Sequence, residues 1–318
     1  MPADHLTADP LTSAVLQVLA GAPLGTAAAD AGIDPADLAD AADTYHEAGC
    51  TALQQRGDPR WYQVRIEFSE WDTAERVAAT QLGPQLDRLL DTGATSGWWF
   101  LRKHPCWRLR IANPDLAAVH QVLDSLTTTG AATRWWPSLY EPETAAFGGL
   151  DGIRLVHDLF CADSHGVLHY LRQPQPPLGR REISLLLLGA LLHAAGLDWF
   201  ERGDVFDRVA QLRPAPDTDD HRLPTLIGHV RGLLAVASDP DNALFGPGGP
   251  AHFAAPWHTA YTTTGHNLAT AAAAGTLHRG LRAITSHIVI FHWNRLGLSA
   301  ATQGILTRAA REAFLPRS

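Results

Sequence analysis

Polar and apolar residues alternate in two segments of the chain, and this period of two is typical of β-strands. The first segment, Trp61–Phe68, reads WYQVRIEF, and the second, residues 106–111, reads CWRLRI. In the second strand the alternation places Arg108 and Arg110 on one face and directs Leu109 and Ile111 to the core on the other. Strands are also predicted over residues 98–101 and 135–140, with a turn at His104-Pro105.

Helical spacing of apolar residues dominates the rest of the chain. Helices are predicted over residues 73–90, 114–126, 153–160, 182–195, 199–212, 276–296 and 300–314, and clusters of Pro and Gly predict loops at 172–179, 214–224 and 245–256. Asp163-Ser164 is interpreted as a helix N-cap. The order strand, helix, hairpin, helix, strand predicts an α+β fold, a helix-covered, largely antiparallel sheet followed by a helical C-terminal half.

Residues 1–56 are predicted to form a separate small helical unit that resembles a winged-helix core. Its helices are expected to begin at Pro10, at Thr26 and at Asp34-Pro35, because Asp is a favourable N-cap and Pro fits the first helical turn. The unit contains almost no Lys or Arg and several Asp residues, which disfavours DNA binding. Packing or peptide docking is the expected role, and residues 57–318 are expected to form the catalytic domain.

The composition narrows the class of protein. The chain has 318 residues, a formal net charge of −8 and 46% hydrophobic residues, which argues against a protein that grips nucleic-acid phosphates. Three cysteines, Cys50, Cys106 and Cys161, lack metal-ligand spacing and predict reduced thiols in a cytoplasmic protein. The sixteen histidines form no HExxH motif, so no metal is expected. Neither a signal sequence nor an apolar run of membrane length is found, and no membrane partner is predicted.

The segment WWFLRKHPCWRLRI, residues 98–111, places three arginines among aromatic and aliphatic residues. Charged side chains in such surroundings usually have a partner. Arg102, Arg108 and Arg110 are therefore predicted to bind substrate carboxylates, carbonyl oxygens or a peptide backbone through their forked donors. The alternative is an exposed strand edge with ordinary ion pairs.

Five segments in order carry a resemblance to a known family. They are WYQVRIEF, WWFLRKHPCWRLRI, SLYEPETAAFGG, LFCADS and HIVIFHWNRLGLS, and the resemblance that they carry covers roughly residues 60–315. The chain resembles the elimination domain of lantibiotic dehydratases and the stand-alone thiopeptide-type proteins built on that domain. Some members of this family remove glutamate from glutamylated Ser or Thr, and others, the pyridine synthases, join two dehydroalanines in a formal [4+2] aza-cycloaddition and expel water and the leader peptide.

The sequence departs from the eliminase pattern at two positions. Eliminases usually carry an arginine-tyrosine pair before the double glycine, where this chain has Ala146-Phe147. Their catalytic histidine usually lies four residues before an Asn-Arg pair, where this chain has Ile290. Alanine offers no cation to a departing carboxylate, and isoleucine offers no base to an α-proton. The resemblance therefore implies a pyridine synthase that acts on a thiazole-bearing precursor peptide, with no cofactor because the reaction is redox neutral.

The site residues follow from that resemblance. His292, Ser286 and His287 are predicted to be catalytic, since a histidine exchanges protons near neutral pH. Asp158 is predicted to polarise a histidine or to position an arginine. An aromatic wall that stacks against thiazoles is predicted from four residues, Tyr62, Trp98, Trp99 and Trp293. The alternative for each is a structural role, as a satisfied buried polar group, a solvated helix face or a core aromatic.

Two other functions remain open at this point. One is a glutamate eliminase that works with a separate glutamylating partner. The other is a non-catalytic module that binds the precursor peptide. The sequence leaves the oligomeric state open.

Overall fold

The computed structural model describes residues 10–56, 60–216, 223–237 and 243–315. The chain divides into two compact units, Met1–Pro59 and Arg60–Ser318. The side chain of Cys50 and residues 217–222 of the predicted loop at 214–224 lie outside the described residues.

The first unit consists of three helices in its described part, as the sequence predicts. They are α1 (Pro10–Leu19), α2 (Leu24–Ala31) and α3 (Pro35–Arg56). The side chain of Asp34 accepts a hydrogen bond from the backbone of Ala36, which satisfies one donor at the start of α3. The helices share a small apolar core that includes Val15, Ala28 and Leu38.

The second unit contains a four-stranded antiparallel sheet with the order β2-β3-β1-β4. Its strands are β1 (Trp61–Phe68), β2 (Gly97–Lys103), β3 (Cys106–Ala112) and β4 (Ala132–Ser138). The register places Gln63 and Trp99 opposite Arg110, and Arg65 opposite Arg108, so these side chains share one face of the sheet. Leu109 and Ile111 are buried on the other face, which confirms the predicted alternation.

Helices cover the sheet and form the rest of the second unit. Between the strands lie α4 (Ala74–Val77), a π-helical segment (Ala78–Leu82), α5 (Gly83–Asp91) and α6 (Leu116–Thr128). After β4 come α7 (Leu150–Arg172), α8 (Arg180–Ala194), α9 (Trp199–Leu212), α10 (Leu223–Val236), α11 (Ala255–Ala273), α12 (Leu281–Leu296) and α13 (Ala300–Phe314). The predicted α+β class, with its helical C-terminal half, is confirmed. None of the described helices combines the length and the apolar composition needed to span a bilayer.

Two helices, α10 and α11, are absent from the sequence prediction. Helix α11 is rich in Ala and Thr and has no strong apolar stripe, so its periodicity gives little indication of a helix. Its small residues serve close packing instead, since a Cβ added at Gly265 would lie 2.6 Å from the carbonyl oxygen of Leu191 on α8. Helix α12 begins at Leu281 instead of the predicted residue 276, after a loop over residues 276–280.

The outer edge of β2 is closed by side chains from α7 and α12. The backbone N–H of Phe100 donates to Oγ of Ser164 at 3.1 Å, and the carbonyl oxygen of Phe100 accepts from Nε of Arg295 at 3.0 Å. Ser164 and Asp163 lie in the middle of α7, so their predicted role as a helix N-cap is wrong. The hydroxyl of Ser164 instead replaces a neighbouring strand, because an edge strand leaves backbone groups without a ladder partner.

Candidate functional site

The sheet face that carries the arginines forms the floor of a cavity of about 220 Å³, here called the arginine cavity. Strands β1 and β3 contribute Arg65, Arg108 and Arg110, and β2 contributes Trp99. The other lining residues are Gln63, the segment after β4 (Leu139, Tyr140, Glu141, Glu143 and Phe147), Ile153 and Phe160 on α7, and Phe291 on α12. The lining thus combines cations, two carboxylates and aromatic rings.

Arg110 is the most unusual of these cations. It is 5% exposed, and its Nε and Nη1 atoms donate to no group among the described residues. Its guanidinium lies 4.1 Å from the ring centroid of Trp99 and 5.3 Å from that of Tyr140. Burial lowers the pKa of Arg110 to about 9, so the group remains charged at neutral pH. A buried guanidinium whose donors have no acceptor can hold a carboxylate, a carbonyl oxygen or another acceptor.

Aromatic rings form the wall opposite the cations. Phe160 and Phe291 stack with centroids 5.0 Å apart, and Phe147 meets both rings edge-on at 5.6 and 5.4 Å. Trp99 lies 4.9 Å from Phe160 and so joins this wall to the sheet. Flat, fixed rings of this kind suit stacking against a planar heterocycle.

A second cavity of about 140 Å³, here called the side cavity, lies where β1 and β2 begin and β3 ends, against α7. It is lined by Arg60, Trp61, Ser96, Gly97, Ala112, Asn113, Arg154, His157, Asp158 and Cys161. Burial raises the pKa of Asp158 more than the charges of Arg154 and Arg60 lower it. Burial, and then the charge of Asp158, raise the pKa of Cys161 to about 12, which leaves its thiol protonated and unreactive at neutral pH.

A buried polar network supports the aromatic wall from behind. The carboxylate of Asp163 accepts hydrogen bonds from Trp257 at 2.8 Å, Tyr261 at 2.9 Å and Nδ1 of His292 at 2.9 Å, and it forms an ion pair with Arg295. Burial alone would raise the pKa of Asp163, but the charges of His292 and Arg295 outweigh it and lower the pKa to about 2. Arg295 in turn lies 4.6 Å from the ring centroid of Phe160.

Comparisons with known proteins show which sequence family the second unit matches. Residues 61–314 match the sequence family described as the C-terminal part of the lantibiotic biosynthesis dehydratase. The chain belongs to this lantibiotic dehydratase C-terminal family. The match covers most of the chain and confirms the relationship inferred from the five segments.

Three solved structures share the fold of this family member. They are the tRNA-dependent lantibiotic dehydratase MibB from Microbispora sp. 107891 (17% identity, TM-score 0.62), TsrL (16%, 0.59) and the pyridine synthase TbtD from thiomuracin biosynthesis (13%, 0.52). The similarity covers 81%, 80% and 80% of this chain, and 28%, 94% and 98% of those proteins, respectively. The chain thus spans 28% of the length of MibB. No curated protein sequence matches the chain.

Of the predicted substrate-binding residues, Trp99, Arg108 and Arg110 line the arginine cavity of this lantibiotic dehydratase C-terminal domain. Arg102 is not brought there. It lies on the opposite face of the sheet, where its guanidinium pairs with Glu75 and lies 5.5 Å from the ring centroid of Trp107. Arg180 shares the same carboxylate at 2.7 Å, so Glu75 joins β2 to α8. Arg102 therefore has a structural partner, unlike Arg110.

Three of the four predicted wall aromatics lie away from the arginine cavity. The hydroxyl of Tyr62 is 3.0 Å from Nε2 of His120 on α6, on the other face of the sheet. Trp98 is fully buried and lies 4.1 Å from the ring of His165. Trp293 is fully buried and donates from Nε1 to Ser184 on α8 at 2.6 Å. Trp98 and Trp293 occupy the core, and Tyr62 is partly buried against it, so each fits the structural alternative.

The structure does not bring Ser286 and His292 together. Helix α12 is continuous, and the hydroxyl of Ser286 donates to the carbonyl oxygen of Ala283 at 2.8 Å. His292 is 1% exposed and belongs to the Asp163 network; because the Asp163 carboxylate can only accept, Nδ1 of His292 carries the proton. His287 lies 6.1 Å from the ring of Phe147, and burial followed by the charge of Arg279 lowers the pKa of His287. None of the three lines the arginine cavity.

Two polar residues at the cavities were missed by the sequence analysis. Oη of Tyr140 lies 2.6 Å from Nε2 of His157, which is 6% exposed. Tyr140 follows β4 and His157 lies on α7, and a separation of 17 residues gives no periodic indication that the two side chains meet. The sequence indicated a role for His157 only indirectly, because His157 immediately precedes the predicted site residue Asp158. Within the described ranges, no three His, Cys, Asp or Glu side chains converge on a position suited to a metal ion.

Proposed function

We propose that this protein is a pyridine-forming cyclase that acts on a ribosomally made precursor peptide. It would join two dehydroalanines into a six-membered nitrogen heterocycle and release water and the leader peptide as an amide. The observation that carries the proposal is the aromatic wall of the arginine cavity, where Phe147 and Phe291 directly follow Ala146 and Ile290. At these two positions the resemblance leads one to expect the glutamate-handling arginine and histidine of an eliminase.

The chemistry of the cavity agrees with such a reaction. Joining two alkenes depends mainly on holding them in contact, and orientation can lower a barrier by about 7–11 kcal/mol in favourable cases. The stacked rings of Phe160 and Phe291 offer flat surfaces for thiazoles, and the idle donors of Arg110 can hold a peptide carbonyl. TbtD, which shares the fold, is described as a pyridine synthase. The cavity is smaller than the roughly 300–1,000 Å³ of typical ligand pockets, so it suits the reacting centre and not the whole peptide.

A glutamate eliminase is the second candidate, and Arg110 favours it. A buried guanidinium with no ion-pair partner among the described residues can receive the carboxylate of a departing glutamate. MibB, which shares the fold, is described as a tRNA-dependent lantibiotic dehydratase. The eliminase would still need a base at the α-proton, and Glu141 and Glu143 are the carboxylates that line the cavity.

One experiment separates the two candidates. The purified protein is incubated in parallel with a linear peptide that carries a leader, thiazoles and two dehydroalanines, and with the same peptide glutamylated at serine. Mass spectrometry is expected to show a macrocycle and a free leader amide from the first peptide, and an unchanged second peptide. Loss of glutamate from the second peptide, with the first unchanged, would overturn the cyclase proposal in favour of the eliminase.

A non-catalytic peptide-binding module makes a different prediction in the same assay. Such a protein would bind the dehydrated peptide, as isothermal titration calorimetry can measure, and leave both peptides unchanged. The double variant R108M/R110M is the control for binding and turnover in the arginine cavity. It removes the two cavity arginines that share one face of β3 and keeps much of their side-chain volume.

A further inference from the structure

Tyr140 and His157 connect the two cavities. Tyr140 lines the arginine cavity, His157 lines the side cavity, and one hydrogen bond of 2.6 Å joins Oη of Tyr140 to Nε2 of His157. This hydrogen bond therefore links a side chain in the wall of one cavity to a side chain in the wall of the other. A structural hydrogen bond between two core residues would not need to reach a cavity at each end.

Aromatic rings hold this pair in place. The ring of Trp61 lies 4.7 Å from that of His157 and 6.3 Å from that of Tyr140. The ring of Trp99 lies 5.9 Å from that of Tyr140 on the cavity side. Packing on both sides limits the rotation of the phenol and the imidazole, so their hydrogen bond stays aligned.

A cation lies beside the phenol of Tyr140. The guanidinium of Arg110 on β3 is 5.3 Å from the ring centroid of Tyr140. The other charged groups at the two cavities are Glu141 and Glu143 after β4, Arg65 and Arg108 on the strands, Arg60 before β1, and Arg154 and Asp158 on α7.

We propose that Tyr140 is the acid–base catalytic residue of the cyclisation and that His157 is a positioning residue that carries the proton of Tyr140 to the side cavity. The proposal rests on the proposed function above and names the group that performs its proton transfer. The resemblance assigned proton transfer to His292, Ser286 and His287, and the structure places none of these among the residues that line the arginine cavity.

The step assigned to the pair is the loss of the leader amide. A ring C–H bond breaks beside the carbon that holds the leader, its electron pair forms a ring C=C bond, and the C–N bond to the leader breaks with its electrons leaving on nitrogen. Oη of Tyr140 takes the ring proton while its own hydroxyl proton passes to Nε2 of His157. Water protonates the departing amide nitrogen, and His157 returns a proton to water in the side cavity, so the step needs no oxidant or reductant.

The test uses the full-length protein and the dehydrated, thiazole-bearing peptide. Y140F is expected to lower kcat by about 10²–10⁴-fold with little change in KM, because the ring still packs but the hydroxyl is gone. H157Q can keep a hydrogen bond to the phenol but cannot relay a proton, and it is also expected to lower kcat. The matched control is Y170F, which removes a tyrosine hydroxyl that donates to the carbonyl oxygen of Leu178 at 3.0 Å, away from both cavities.

A substrate isotope effect distinguishes proton transfer from a loss of structure. The peptide is deuterated at the methylene of the dehydroalanine attached to the leader, which becomes the ring carbon that loses a proton. In Y140F and H157Q the isotope effect on kcat is expected to rise above that of the wild-type protein, because C–H cleavage becomes rate-limiting. Y170F is expected to keep the wild-type kcat and isotope effect.

The outcomes separate this inference from the proposed function. If the wild-type protein forms the ring and both Y140F and H157Q keep the wild-type kcat, the inference is overturned and the proposed function stands. If the wild-type protein does not convert the peptide at all, the proposed function fails and this inference fails with it. If one variant does not fold, as circular dichroism would show, the kcat and isotope effect of the other variant decide.

Discussion

Two arginines approach the same indole ring from different surroundings. The guanidinium of Arg110 lies 4.1 Å from the ring centroid of Trp99, and that of Arg295 lies 5.9 Å away. Arg295 has an ion-pair partner, Asp163, and donates to the backbone of Phe100. Arg110 has no ion-pair partner among the described residues and lines the arginine cavity. A buried charge is costly to leave without a partner, so Arg295 depends on Asp163, whereas the unpaired charge of Arg110 remains able to receive an acceptor from a ligand.

The largest expected effect on stability comes from breaking the ion pair between Asp163 and Arg295. D163N keeps the shape of the side chain but leaves Arg295 without its counter-charge in the core. Removing one partner of a buried pair typically costs about 3–5 kcal/mol in the free energy of unfolding. Urea denaturation measures this loss. The control D207N breaks a partly exposed pair with Arg311 and should cost less than about 1 kcal/mol. An equal loss in both variants would contradict the central role of Asp163.

Removing the unpaired arginine should give the opposite pattern. R110M deletes a buried charge that has no counter-ion, so the free energy of unfolding should stay the same or rise slightly. Affinity for the precursor peptide should fall by about 30-fold or more, which corresponds to about 2 kcal/mol for a central arginine contact. Calorimetric titration and urea denaturation measure the two quantities. The comparison fails if R110M loses stability as D163N does while the peptide affinity is retained.

The pH dependence of stability sharpens the same comparison. The pKa of Asp163 is about 2 in the folded protein and 3.8 in the reference state, so the folded state binds the proton less tightly. The resulting stabilisation, about 2 kcal/mol, is fully present above pH 3.8 and is lost as the pH falls towards 2. Unfolding free energies measured between these pH values should converge for the wild-type protein and D163N. Parallel curves would show that another group dominates acid unfolding.

Arg102 provides an intermediate case with the smallest expected effect. Burial alone would raise the pKa of Glu75, but a hydrogen bond from Arg180 and the charge of Arg102 outweigh it and lower that pKa. E75Q should cost about 1 kcal/mol in the free energy of unfolding, because the pair is partly exposed and solvent screens it. Peptide affinity should be unchanged in E75Q, since Arg102 lies on the sheet face away from the arginine cavity. A drop in affinity would show that the ion pairs of Glu75 support the binding site through the sheet.

Strand alternation was the most reliable guide from sequence to site. It placed Arg108 and Arg110 on one face and Leu109 and Ile111 on the other, because a period of two leaves no other arrangement in a strand. The same rule separates Trp99 from Arg102, which are three residues apart on β2 and so face opposite ways. Grouping the three arginines by composition instead of by alternation placed Arg102 with Arg108 and Arg110, from which the sheet separates it.

The polar residues that meet across elements were beyond sequence reasoning. Asp163 joins residues from α7, α11 and α12, and helix α11 itself was not predicted. Tyr140 and His157 come from a loop and a helix, and their contact depends on how α7 packs beside β2. No spacing rule reports such tertiary contacts. The burial of Trp98 and Trp293 could not be predicted either, because a tryptophan in an apolar segment fits a core and a binding wall equally well.

The closed edge of β2 also limits how this molecule can associate. Both outward-facing backbone groups of Phe100 are occupied by side chains, one a serine hydroxyl and the other an arginine that holds a buried carboxylate. A foreign strand, whether from an unfolded neighbour or from a peptide, could pair there only by displacing Arg295 from Asp163. The ion pair between Arg295 and Asp163, which supports the cavity wall, therefore also opposes edge-to-edge aggregation at β2.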